Sequence, residues 1–367
     1  MAPYQAATLP PAHRASWSPF SSWNGTKVHA HRYLLTDAVL KGELGFQGFL
    51  ISDWQAIDQI PGDYAANVTT AINAGLDMIM VPYDYQRFIS TLTAAVESGA
   101  VPLERIDDAV RRILRVKLAL GLFEHPYADP SLIDQIGSAA HRALAREAVR
   151  KSLVLLKNEN QRLPLAKETL LIFVAGTAAN DIGIQSGGWT IEWQGKTGKI
   201  TPGATILEGI QQAVSAETRV EYSSSGNFAN VTDAQGHRSR PTSALPSSAS
   251  APMPNIAGQQ HPGAVSAPMW QRYRVYRLRA NMVMIIISGR PLIITEQLAQ
   301  VDAVVAAWLP GSEGQGVADV LFGDYPFTGK LPYTWPRTVQ QLPFDFATLP
   351  AEGSDAPLFP FGYGYSP

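Results

Sequence analysis

The chain has 367 residues, of which 46% are hydrophobic and 16% charged, with a net charge of -2 and no cysteine. That length suits two domains and a large core, and the composition is globular rather than disordered. The charge balance excludes a strong pull toward nucleic acid or an anionic membrane, and the missing thiols exclude disulfides and Cys-ligated metal.

The first residues, MAPYQAATLPPAHR, lack the basic start and apolar core of a signal peptide. No apolar run is long enough to cross a bilayer. Residues 9–18 contain no clean strand. Ser21 to Gly25 reads as a turn with Asn24-Gly25 at its centre. Between Tyr33 and Leu44, Tyr33, Leu34, Val39, Leu40 and Leu44 recur at helical spacing. Then comes Gly45 to Trp54, GFQGFLISDW, whose run Phe49-Leu50-Ile51 predicts a buried strand. Ala65 to Ala74 predicts a helix, Leu76 to Val81 a second strand, and Arg87 to Ser98 another helix. Pro102 starts a further helix, with Ile106, Val110, Ile113, Leu114 and Leu118 as its apolar face. The order is a β/α pattern with two or three strands. Asn24, Asn67 and Asn230 each head an Asn-x-Thr sequon.

Residues 121–164 read as a linker holding one helix, His141 to Ser152, and then the apolar segment Leu153 to Leu156. A second α/β domain follows over residues 165–335. Its expected elements are a strand at Leu170 to Ala175, a small-residue loop over Gly176 to Gly188 and a helix at Ile206 to Val214. A short strand at Arg219 to Tyr222 comes next. Residues 223–281 are rich in Ser, Pro, Ala, Gln and Arg, which predicts a surface excursion or disorder. Order resumes with a strand at Met282 to Ile287, a short helix around Leu298 to Val301, a strand at Ala303 to Trp308 and a helix at Gly314 to Phe322. The tail, residues 336–367, is expected to wrap as a loop.

Asp53 and Trp54 end the first strand, where side chains of β/α folds reach a site. A carboxylate can attack an anomeric carbon, and an aromatic offers a flat face to a sugar ring. The alternative is that Asp53 caps the next helix. Trp193 likewise reads either as a sugar platform or as a core or interface tryptophan.

Six stretches in order carry a resemblance. They are SSWNGTKVHAHRYLLTDAVLKGELGFQGFLISDW, KSLVLLKNENQRLPL, QSGGWTIEWQGKTGKITPGATILEGI, ISGRPLII, AAWLPGSEGQGVADVLFGDYPFTGKLPYTWP and PLFPFGYGYSP. Together they resemble glycoside hydrolase family 3, the β-glucosidases and exo-1,3/1,4-β-glucanases. The resemblance implies an α/β protein: the C-terminal part of a (β/α)8 TIM-type barrel over residues 1–120, then an α/β sandwich, with the active site between them. It implies retaining hydrolysis of β-glucosides or β-glucans from the non-reducing end, with Asp53 as nucleophile. Trp54 and Trp193 would bind the sugar, and no metal or organic cofactor is implied. Relatives are often periplasmic or secreted.

The sequence also departs from the family. It starts late in the barrel, so the strands carrying the first sugar subsite are expected to be missing, and with them an intact fold unless a complementary chain supplies them. The family's acid/base Glu motif is expected inside residues 223–281, yet no Asp or Glu stands between Asp233 and Glu296. A shifted reading frame would produce such a segment. Phe20, counted among the substrate-binding positions, replaces a tyrosine of many relatives. Glu192, Glu221 and Glu313 are the remaining acidic candidates. The expectation is an impaired hydrolase, or alternatively an inactive truncated or split relative with weak sugar binding.

Overall fold

The structure, a computed structural model, describes residues 15–225, 243–249 and 281–365. The chain divides into two units, Met1–Pro130 and Ser131–Pro367.

In the first unit, β1 (Ala15–Trp17) lies parallel to β4 (Phe49–Ile51), with Ala15 opposite Phe49 and Trp17 opposite Ile51. The hairpin β2 (Ser22–Trp23) and β3 (Thr26–Lys27) lies between them in sequence and turns at Asn24-Gly25, as its sequence predicts. β1 falls in a stretch whose own pattern predicts no clean strand; its pairing with β4 supplies what its three residues lack. The expected strand over Leu76 to Val81 makes a single parallel bridge, Ile51 with Met78. The expected helix over Tyr33 to Leu44 is instead two π-helical turns, Tyr33–Asp37 and Val39–Glu43, closed by bonds such as Ala38 N–H to Tyr33 O at 3.1 Å.

Three regular helices follow. They are α1 (Tyr64–Ala74), capped by the Asp63 side chain, α2 (Tyr85–Glu97) and α3 (Leu103–Ala119). Leu35, Phe46, Leu50, Ile57, Val68, Ile72 and Leu76 form the core. The apolar face expected on α3 is split. Ile106 packs against this core, while Val110, Leu114 and Leu118 are exposed.

The second unit is built on one sheet in the order β5-β10-β9-β8-β6-β7. Its strands are β5 (Val154–Asn158), β6 (Leu171–Ala175), β7 (Arg219–Ser223), β8 (Ser243–Ala249), β9 (Asn281–Ile287) and β10 (Ala303–Trp308). Only the edge strand β5 is antiparallel to its neighbour. The sheet is buried on both faces, as parallel sheets require. Leu155, Ile172, Val174, Val283, Ile285 and Val305 face one side. There they meet residues of three helices, α4 (Ala139–Ser152), α6 (Ile206–Ala213) and α8 (Gln315–Leu321). Two shorter helices, α5 (Ile182–Ser186) and α7 (Thr295–Leu298), complete the unit. The alternate residues Val154, Leu156, Phe173, Met284, Ile286 and Val304 face the other side, which the C-terminal tail covers with Trp335 and Phe359. Trp335 donates its indole N–H to Leu292 O at 2.7 Å.

Two domain expectations need correction. Residues 121–164 are not simply a linker: β5 completes the sheet, and α4 is tied to α8 and the turn before it by the pairs Arg142–Glu313 and Arg146–Asp319. Residues 223–281 are not wholly an excursion, because β8 lies in the middle of the sheet. The sequence SALPSSA has little strand character, but β6 and β9 flank it on both sides. Pairing with β9 skips positions 245 and 246, where Pro246 has no N–H to give. Residues 226–242 and 250–280 of that segment lie outside the described residues.

Candidate active site

β4 owes its place to a buried carboxylate. The Asp77 side chain is fully buried, and its Oδ2 accepts the Leu50 N–H at 2.8 Å. Lys41 Nζ sits 2.9 Å from both Asp77 oxygens, and Arg105 also donates to Oδ1. A buried charge must be paired, and this one is paired twice. Burial lowers the pKa of Lys41, and the Asp77 charge opposes that shift.

Past Ile51 the chain is held residue by residue. The buried Ser52 donates its N–H to Met78 O at 3.0 Å. Its hydroxyl accepts the Met80 N–H at 2.8 Å and donates to Asp53 O at 2.9 Å. The Asp53 N–H donates to Nε2 of the buried His29 at 3.1 Å. Asp53 Oδ1 accepts the Trp54 N–H at 2.7 Å, while Oδ2 has no donor among the described residues. The capping alternative for Asp53 is therefore not what the structure shows, since the next regular helix is capped by Asp63. Gln55 then adopts a left-handed conformation, φ 50°, and Trp54 stands half-exposed with its ring edge-on to Tyr83 at 5.9 Å. Phe20 meets the His29 ring edge-on at 6.1 Å. So Phe20, Asp53 and Trp54 come together, with His29 between the first two.

Burial pushes the His29 pKa down. A hydrogen bond with the Ser18 backbone and the Asp53 charge oppose it, and Lys27 adds to it. With Nε2 accepting from Asp53, the ring proton belongs on Nδ1, facing Ser18.

Trp193 belongs to the second unit. The strand order 7-6-8-9-10 reverses direction between β6 and β8, and ligands of open parallel sheets gather at the carboxyl ends of such strands. Trp193 lies on the loop that follows β6 and α5. Asp181 closes this loop, accepting from Ile184 N–H at 2.9 Å and Gly198 N–H at 2.8 Å. Backbone packs on backbone there: a Cβ on Gly183 would lie 1.8 Å from Lys196 O, and one on Gly195 2.6 Å from Gly187 O. Trp189 and Ile191 take positive φ, 64° and 63°, and Trp189 N–H bonds Trp193 O at 3.0 Å. The outcome is that both tryptophans are more than half exposed, with their rings 6.3 Å apart at 66°.

The acidic candidates are all engaged. Glu192 pairs with Lys196 at 3.2 Å, Glu221 with Arg219, and buried Glu313 with Arg142 at 2.8 Å. Most of the stretch expected to carry the family's acid, residues 223–281, lies outside the described residues.

Sequence reading missed His29, Ser52, Asp77 and Tyr83. Two of them carried a signal. Asp77 interrupts the apolar run Leu76 to Val81, and His29 stands between Val28 and Ala30. A polar group embedded in apolar sequence needs a partner if it is buried.

Residues 1–116 match the model of the glycosyl hydrolase family 3 N terminal domain, and residues 153–268 and 269–366 match that of its C-terminal domain. The chain belongs to glycosyl hydrolase family 3. Within that family it is similar to a periplasmic β-glucosidase of Salmonella typhimurium, at 32% identity over all of this chain and 54% of the relative. It is also 32% identical to a lysosomal β-glucosidase of Dictyostelium discoideum, over 94% of this chain and 44% of the relative. Among solved structures it is similar to the exo-1,3/1,4-β-glucanase of a Pseudoalteromonas species, with 38% identity and a TM-score of 0.76. That match covers 96% of this chain and 45% of the solved one. A β-glucosidase of Listeria innocua, solved with glucose, matches at 25% identity and a TM-score of 0.72, over 99% of this chain and 52% of the solved one. A mutant of the Listeria enzyme was solved with laminaribiose. The chain spans about half the length of the curated relatives it matches.

Proposed function

We propose that this chain carries the nucleophile side of a retaining β-glucoside or β-glucan hydrolase, on the last strands of a (β/α)8 barrel followed by an α/β sandwich. The carrying observation is Asp53 at the end of β4. Its peptide is held on both sides, and one carboxylate oxygen has no donor among the described residues, beside a half-exposed Trp54. In this reading the carboxylate attacks the anomeric carbon and the glycosidic bond breaks as a second carboxylic acid protonates the leaving oxygen. Water, deprotonated by the same second group, then releases the sugar from Asp53. Trp54 and Trp193 stack on sugar faces, and Phe20 lines the base of the nucleophile. The relatives' names and the glucose and laminaribiose complexes support a β-glucoside as substrate.

Turnover of natural glucosides is slowed by want of the acid. Residues 234–295 hold no Asp or Glu, and general acid assistance is worth about 10²- to 10⁴-fold. Activated substrates, which need no proton on the leaving group, suffer least.

A second reading is that a complementary chain completes the site. The exposed row of Val110, Leu114 and Leu118 on α3 favours it, because an amphipathic helix normally buries such a stripe.

The test is intact-protein mass after incubation with 2,4-dinitrophenyl 2-deoxy-2-fluoro-β-glucoside. This reagent requires a nucleophile and a sugar site but no acid. The expected result is one glycosyl adduct mapped to Asp53 and lost in Asp53→Asn. No adduct on the folded chain would remove the hydrolase reading for the chain alone. An adduct that forms only when a second chain bearing the family's earlier strands is added would establish the split reading.

A further inference from the structure

We propose that His29 is a positioning residue for Asp53, holding its peptide through a neutral imidazole whose proton sits on Nδ1. The inference rests on the hydrolase reading only for its functional consequence; the geometry stands by itself.

His29 is 1% exposed, so its ring nitrogens have only protein partners. One, Nε2, accepts the Asp53 N–H at 3.1 Å. On its other side the ring faces the Ser18 backbone, one residue past β1, which favours a proton there. Ser18 in turn donates its own N–H to Ile51 O at 2.9 Å. The imidazole therefore holds the end of β4 at the level of the carboxylate, beside the residue that follows β1.

The tautomer follows from these contacts. A ring carrying its proton on Nε2 would point a donor at the Asp53 N–H, and a cationic ring would do the same. Only the neutral Nδ1–H form satisfies both neighbours. Phe20 packs its ring edge-on to His29 at 6.1 Å.

The other side of the Asp53 peptide is held independently. Its carbonyl accepts from the Ser52 hydroxyl at 2.9 Å and from Ala56 N–H at 3.2 Å. With both peptide groups engaged, rotation of the backbone that would swing the carboxylate away from the anomeric carbon breaks a part-buried hydrogen bond. His29 thus fixes where the attack begins without touching the sugar. Misplacing a reacting group by about 1 Å can cost about 100-fold in rate.

Two variants of the full chain separate positioning from bulk packing. Gln places an oxygen near Nε2 and an N–H near Nδ1, whereas Leu fills the space without either. The readouts are hydrogen exchange of the Asp53 amide, the ¹⁵N spectrum of the His29 ring in wild type, and the rate constant for labelling Asp53 with the fluoroglucoside. The expected outcome is an Nδ1–H neutral ring in wild type. His29→Leu should lose protection of the Asp53 amide and label about 100-fold more slowly at unchanged half-saturation, and His29→Gln should recover most of both. An Nε2–H or cationic ring at neutral pH overturns the proposal whether or not any variant folds. So does a folded His29→Leu that matches wild type, or a folded His29→Gln as poor as His29→Leu. If wild type takes no label, the hydrolase reading fails alone, and the ring spectrum with amide exchange still decides the role of His29.

Discussion

At the end of β4 the backbone is held by side chains: Asp77 below the turn, Ser52 and His29 at Asp53 itself. At the loop after β6, Trp189 and Trp193 are carried by backbone packed on backbone, with Gly183 and Gly195 leaving room that no other residue leaves. The first arrangement depends on charges and lone pairs, so it responds to removal of a partner and to protonation. The second depends chiefly on the absence of atoms, so it is intolerant of a methyl group. On the proposed reading, a nucleophile needs a direction, which hydrogen bonds supply, and a stacking platform needs exposure, which a tightly folded loop supplies.

The largest expected effect breaks the first arrangement. Asp77→Leu leaves Lys41 and Arg105 without their buried partner, and breaking such a pair costs about 3–5 kcal/mol. Urea denaturation followed by first-unit amide exchange should show the loss there, with second-unit amides keeping their protection. A loss below about 1 kcal/mol would mean that apolar packing alone seats β4.

Gly183→Ala breaks the second arrangement. Its Cβ would meet the Lys196 carbonyl oxygen at 1.8 Å, and overpacking of this kind costs about 1–3 kcal/mol. The second unit's unfolding midpoint should fall and tryptophan fluorescence should change as Trp189 and Trp193 shift. An unchanged midpoint would show that the loop yields without cost.

The smallest effect concerns acid. His29 in the folded state titrates below its ordinary 6.5, chiefly through burial, with Lys27 adding and Ser18 and Asp53 opposing. Between the folded and unfolded values the unfolded chain binds the extra proton. First-unit stability is therefore full above about pH 6.5, falls as the pH drops through that window, and levels off below the folded value. Asp319 in the second unit behaves differently. Burial raises its pKa, but the Arg146 and Arg150 guanidiniums outweigh that and hold it below 3.8. Its contribution is present above that value and is lost only as the pH falls through the lower folded one. On acidification the first unit should loosen before the second, and His29→Gln should flatten the early slope. Simultaneous loosening by unit-resolved hydrogen exchange would break the comparison.

Much of the second unit was legible from local pattern. β6, β9 from Met282 on, and β10 are unbroken apolar runs, and a sheet buried on both faces asks for such runs. The ends of β4 and α1 were legible too, from Phe49-Leu50-Ile51 and from Ala74-Gly75. β1 and β8 were not, because three residues and a Ser/Pro-rich segment become strands only when neighbours offer them edges. Of the candidate residues, Asp53, Trp54 and Trp193 were readable as residue types in family motifs. His29 and Asp77 were not, since their roles lie in hydrogen bonds spanning 24 and 27 positions.

The sequence by itself determined which residues are apolar, which glycines have no side chain, and that the chain carries the motifs of family 3. Those properties belong to each residue and its near neighbours. Only the tertiary structure decided that β8 bridges β6 and β9 in the middle of the sheet, that the apolar stripe of α3 stays exposed, and that a histidine holds Asp53, which caps no helix. Each of those depends on what a distant part of the chain places within hydrogen-bond or van der Waals reach, and local sequence does not encode that distance.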